Sequence, residues 1–130
     1  MTREEILSIT ESDKEGCTTI NKLVHEKLGL CWHEWNMEMP PRFGVILCQH
    51  CANASTLLVV AQYHHPDYTH SIEAAWAIKG WLDKNDSSEN PDTYLYERYE
   101  SLVYVHSRHS CLWASPLERC KAFLLMDEKG

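Results

Sequence analysis

No run of basic residues occurs anywhere in this 130-residue chain, whose 12 Lys and Arg are outnumbered by 19 Asp and Glu for a net charge of −7. Neutralising phosphates needs clustered cations, so this balance argues against direct nucleic-acid binding. No apolar run approaches the roughly 18 residues of a membrane span. The start, Met1-Thr2-Arg3-Glu4-Glu5, lacks the charged-then-apolar pattern of a leader, and the expectation is a cytoplasmic protein without membrane contact. The five glycines, at 16, 29, 44, 80 and 130, are too scattered for a phosphate-cradling loop. His-Glu-x-x-His and Gly-x-Ser-x-Gly are also missing. A zinc-deaminase pattern fails twice: Leu47 stands where Pro should precede Cys48, and His33-Glu34 has no intervening residue. The enzymatic signatures easiest to recognise are therefore excluded.

Cysteine and histidine, by contrast, are plentiful. Cys31-Trp32-His33-Glu34-Trp35 is followed, past Pro40-Pro41, by Cys48-Gln49-His50-Cys51. In extended chain, residues two apart share a face, so Cys31 and His33 project together. Cys-x-x-Cys is the spacing of a zinc knuckle, and the four side chains make a Cys3His set suited to a closed, structural zinc. His50 is an alternative to His33 as the fourth ligand. Two other readings of the cysteines stand beside the metal: a redox Cys-x-x-Cys, and buried thiols that serve only as apolar residues. Six cysteines in a reducing compartment favour metal over disulfides, which leaves Cys17, Cys111 and Cys120 as buried or half-buried thiols.

The expected fold class is α+β: a small mixed or antiparallel sheet packed by two or three helices, sandwich-like, with a zinc-stapled β insertion. One domain fills residues 1–130. Within it, 1–17 reads as a polar arm, 30–62 as the zinc-stapled β unit, and 63–130 with helix 18–28 as the sandwich portion. Ile20, Leu23, Val24 and Leu28 fall at helical spacing and Gly29 fits the position that ends a helix. Strands are expected at 30–35, 43–47 and 56–62. A helix is expected over 71–84, capped by Asp67 or Thr69, with Ile72, Ala75, Trp76, Ile78 and Leu82 on its apolar face. Residues 85–92 read as a polar loop. Alternation over Leu102 to His106 predicts a strand in the second half of 94–106, while Tyr94–Tyr99 reads as either strand or helix start; 109–114 is the expected antiparallel partner. Ser115-Pro116-Leu117-Glu118 is a capping box that opens a last helix, expected to pack on that hairpin.

The chain resembles small phage and prophage proteins of unknown function that carry a phage ABA sandwich domain. The resemblance rests on Glu26-Lys27-Leu28-Gly29, the Cys31–Trp35 and Cys48–Cys51 segments, the Pro66-Asp67-Tyr68-Thr69 lead into Ile72–Trp76, and the helix from Ser115 to Ala122. It implies helices layered against a sheet, a Cys/His insertion and a setting in the cytoplasm of an infected bacterium. No reaction comes with it.

The function expected is that of a non-enzymatic zinc-binding accessory protein. It would occupy a host protein or sequester a small ligand, with antagonism of host defence as one such role, through a surface drawn from Trp32, Trp35, Tyr63, His64, His65, Tyr68 and Trp113. One alternative is a metal- or His-dependent hydrolase built on His64, His65 and His70 with Asp67. Another is a sink for an anionic ligand, formed at an oligomer cleft and contacted by Arg98, His106, Arg108 and His109. Any homo-oligomer is expected to be symmetric.

Overall fold

The computed structural model describes residues 1–36, 45–51, 53–85, 95–108 and 113–126. Among these the fold is α+β, six helices and one two-stranded antiparallel sheet. The helices are α1 (Arg3–Ser8), α2 (Lys14–Lys27), α3 (Leu57–Ala61), α4 (Glu73–Asn85), α5 (Leu95–Ser107) and α6 (Pro116–Leu125). Strands β1 (Val45–Leu47) and β2 (Ala54–Thr56) pair with Ile46 opposite Ser55.

Helix α6 is the hub of the body. Ser115 Oγ accepts from the Glu118 N–H and Glu118 Oε1 from the Ser115 N–H, both at 3.2 Å, so the expected capping box forms in full. With Pro116 in the first turn, the helix is fixed at its start. It buries Leu117, Cys120, Ala122, Phe123 and Leu125 and packs against α1, α2, α4 and α5. Phe123 meets Trp81 edge to face at 5.2 Å, and the Lys27 ammonium lies 4.3 Å from the Phe123 ring centroid. Burying a ring of that size contributes about 1.5–3 kcal/mol.

Helix α2 starts earlier than expected because Asp13, whose carboxylate accepts from the Gly16 N–H at 3.0 Å, is its cap. A Cβ on Gly16 would lie 2.6 Å from that carboxylate, so glycine is needed there. Gly29 takes φ +84° just past the helix end, as the sequence predicts. Residues 1–17 are not a polar arm: Ile6 and Ile9 are buried, and Lys121 donates to the carbonyls of Leu7 and Ile9.

Three further expectations are corrected. The stretch 95–107 is one helix, so the helix start offered for its first half holds and the strand expected over Leu102 to His106 does not form. Leu95, Tyr96, Tyr99, Leu102 and Val103 make one helical stripe against the core, which outweighs the short alternation at its end. Among the described residues the last helix therefore packs on helices; residues 109–112 of that expected hairpin and 86–94, with most of the polar loop, lie outside the described residues. Residues 57–61 form a helical turn instead of continuing a strand, because Thr56 Oγ1 accepts from the Val59 N–H at 3.3 Å. In α4 the buried face is Ala74, Ile78 and Leu82, which turns Ile72 and Trp76 outward at 72% and 68% exposure.

Candidate metal centre

Two chain segments build the site. Residues 34–36 run antiparallel to 47–49: Asn36 N–H donates to Leu47 O at 2.9 Å, Gln49 N–H to Glu34 O at 2.8 Å, and Trp35 bridges Cys48. Cys48 N–H donates to Asn53 O at 2.9 Å, and this joins the knuckle to the turn before β2. Within the knuckle the His50 N–H points at Cys48 Sγ, 3.4 Å away, which favours a thiolate there.

These pairings bring Cys31, His33, Cys48 and Cys51 together, one ligand atom from each within 4.8 Å of all the others. Cys31 Sγ is 3.8 Å from Cys48 Sγ, and Cys51 Sγ is 3.4 Å from His33 Nδ1. The four can hold a metal ion. His50 turns away, its Nε2 at 3.3 Å from Glu34 Oε1, and Lys22 approaches the same oxygen at 3.8 Å. The imidazole in the cluster is that of His33.

The donor set itself asks for a cation. Burial pushes the Cys31 thiol up, and the neighbouring sulfurs of Cys51 and Cys48 add to it, to about 12. Burial also acts upward on Cys48, but hydrogen bonds from the Cys51 and His50 backbone and from His33 outweigh it and bring the thiol down to about 5. One sulfur ionises readily while its neighbour resists. A divalent cation removes that conflict by stabilising all the thiolates together.

Aromatic rings wall the site. His33 stacks on Trp35 at 5.0 Å, Tyr63 meets both edge-on, and the buried Trp32 stacks on His65 at 4.0 Å. His65 Nε2 donates to His33 O at 2.8 Å. A cleft of ≈ 570 Å³, lined by residues that include Cys31, His33, Asn53, Tyr63 and His64, opens beside the ligands.

His25, which the periodicity of α2 did not single out, ties the site to the helical body. A carbonyl only accepts, so His25 Nε2 donates to Cys31 O at 3.0 Å, and Nδ1 then accepts from the Tyr68 hydroxyl at 2.7 Å. Burial lowers its pKa, consistent with this neutral tautomer. The signal was a histidine beside Asn21 and Val24 on the buried stripe, where a polar side chain must have partners.

The other sequence candidates are dispersed. His70 lies 3.1 Å from both Asp67 oxygens through Nδ1 and 3.0 Å from Glu11 O through Nε2, and Asp67 also accepts from Thr69 and Asn21. Asp67 and Thr69 thus join the middle of α2, through Asn21, to the chain ahead of α4 rather than capping α4, whose first turn is met by Ser71 Oγ, accepting from the Glu73 N–H. His64 is exposed, and His64, His65 and His70 do not converge. Arg98 and Arg108 are ten residues apart on or beside α5, about 15 Å along its axis, and His106 faces Arg3 at 3.5 Å. His109 lies outside the described residues. Of the expected contact surface, Trp32 and Tyr68 are buried, Trp35 and Tyr63 half-buried, and His64, His65 and Trp113 exposed. Among the described residues no helix is long and apolar enough to cross a membrane. No family model, no curated protein and no solved structure matches this chain.

Proposed function

We infer that the chain is a zinc-stapled binding protein in which Cys31, His33, Cys48 and Cys51 hold a structural zinc and the surface does the work. The carrying observation is metric. A tetrahedral ion with sulfur at about 2.3 Å and imidazole nitrogen at about 2.0–2.1 Å sets S···S near 3.8 Å and S···N near 3.5 Å. The Cys31–Cys48 and Cys51–His33 separations are 3.8 and 3.4 Å. Three thiolates and an imidazole favour zinc over harder ions, and four protein ligands leave no open position for a reacting water.

A binding role is supported by large apolar side chains left in solvent: Trp113 at 76%, Ile72 at 72% and Trp76 at 68% exposed. In this reading the protein is a phage-type accessory factor that occupies a host macromolecule. The hydrolase alternative gains no support, since both nitrogens of His70 and Nε2 of His65 are engaged in structural hydrogen bonds. The separation of Arg98 from Arg108 likewise gives an anion sink no focus.

Elemental analysis of protein purified without added metal tests the reading. One zinc per chain, with a large fall in thermal stability after a strong chelator, is the expected result. A metal-free protein of unchanged stability would overturn it.

A further inference from the structure

We propose that the Cys31–Cys48 sulfur pair is a peroxide-triggered release catch for the bound zinc; this rests on the structural-zinc reading above. Three observations of geometry carry it. Cys31 is half-buried and lines the ≈ 570 Å³ cleft, which makes it the more accessible of the two cysteines to a small oxidant there. Cys48 is 3% exposed, shielded from direct attack. Its sulfur is nevertheless 3.8 Å from that of Cys31 and needs to close by about 1.8 Å to reach disulfide length.

The chemistry balances with a hydroperoxide as the named oxidant. The Cys31 thiolate attacks one oxygen of hydrogen peroxide; an S–O bond forms to give the sulfenic acid, the O–O bond breaks, and the other oxygen leaves as hydroxide. The Cys48 thiolate then attacks the Cys31 sulfur; the S–S bond forms and the S–O bond breaks, releasing a second hydroxide. The two sulfurs give up two electrons, the peroxide accepts them, and the metal keeps its charge throughout. Cys51 and His33 alone are too few ligands for a closed tetrahedral site, and zinc leaves.

The site differs from a Cys-x-x-Cys redox pair in which sulfurs join. Trypsin cuts after Lys27, Arg42 and Lys79, so Cys31 falls in peptide 28–42 while Cys48 and Cys51 share peptide 43–79. Zinc-loaded full-length protein is treated with hydrogen peroxide, zinc release is followed with a chromogenic chelator, and the disulfide is mapped by mass spectrometry without reduction. The expected result is one zinc lost per disulfide, peptide 28–42 linked to 43–79 with fragmentation placing the bond at Cys48, and zinc regained after reduction. Cys31→His, which keeps four ligands, should bind zinc and release it severalfold more slowly. Zinc retained under peroxide, a bond between Cys48 and Cys51, or release with Cys31 driven to sulfinic acid and Cys48 untouched would overturn this inference while leaving the zinc site standing. A protein that takes up no zinc at all overturns both.

Discussion

The helical body and the metal lobe of this protein are held by different forces. In the body Phe123, Ile20, Ile78, Leu82, Val24 and Val103 are each under 2% exposed and interlock around α6. In the lobe, two three-residue strands and one helical turn bury chiefly Ile46, Cys48 and Val60, while Leu47, Leu58 and Val59 remain half or more exposed. A two-stranded sheet is marginal by itself. What the lobe lacks in apolar burial, four convergent ligands can supply through a metal, and polar links through His25 and His65 fasten it to the body.

The sharpest way to break that comparison is to remove the staple. Cys51→Ser should abolish tight zinc binding, whose free energy in structural sites is about 10–16 kcal/mol, and melt the lobe alone. Hydrogen exchange checks this: amides of 45–56 should lose protection while those of α6 keep theirs. The converse change, Phe123→Ala, should cost about 3–5 kcal/mol and lower the urea midpoint of the body. If zinc affinity fell as far as stability in that variant, the two regions would be one cooperative unit.

The link between them ranks next. His25→Ala strands the Cys31 carbonyl and the Tyr68 hydroxyl, at about 1–3 kcal/mol each, and should lower both zinc affinity and body stability. A loss confined to one region would remove His25 as the connector.

The smallest effect is electrostatic and confined to the body. His70 faces acceptors at both ring nitrogens, which only an imidazolium satisfies, and its pKa is raised above 6.5, by the Glu11 carbonyl first and by Asp67. A raised pKa means that its contribution is full below 6.5 and is lost as pH rises through the higher folded value. For an exposed pair this is about 0–1 kcal/mol. Thermal melts from pH 6 to 9 should show that decline, and His70→Gln should flatten it. His25, lowered by burial, acts oppositely, costing stability as pH falls below 6.5.

How far the sequence revealed the two regions follows the same division. The cluster of Cys31, His33, Cys48 and Cys51 was legible because metal chemistry demands particular side chains at particular spacings, and the two-residue separation of Cys31 and His33 suits side chains that share a face. The spacing favoured His33 but left His50 open as its replacement, and what separates them is tertiary: Glu34 pairs with His50 across the pairing of 34–36 with 47–49. In the body, the capping box of α6 and Gly29 carried their structure locally. Helix α5 did not: Val103 and Val105 favour strands, and only the packing of Tyr99 and Val103 against α6 settles the matter. The turn at Thr56 was hidden in a run of apolar and β-branched residues that reads equally as strand.

The central place of α6 bears on the order of folding during synthesis. The ligand pairs close loops of 17 and 18 residues, whereas the contact of Lys27 with the Phe123 carbonyl spans 96. Closing the short loops costs about 1.5 kcal/mol less entropy by the logarithmic rule. All four ligands have been made once Cys51 is added, while Pro116–Leu125 follow 65 residues later, several seconds at about 5–20 residues per second. If the cluster takes up the proposed zinc, a nascent chain can capture it before its own core exists, and the lobe becomes the first ordered surface on which α2 and, last, α6 assemble.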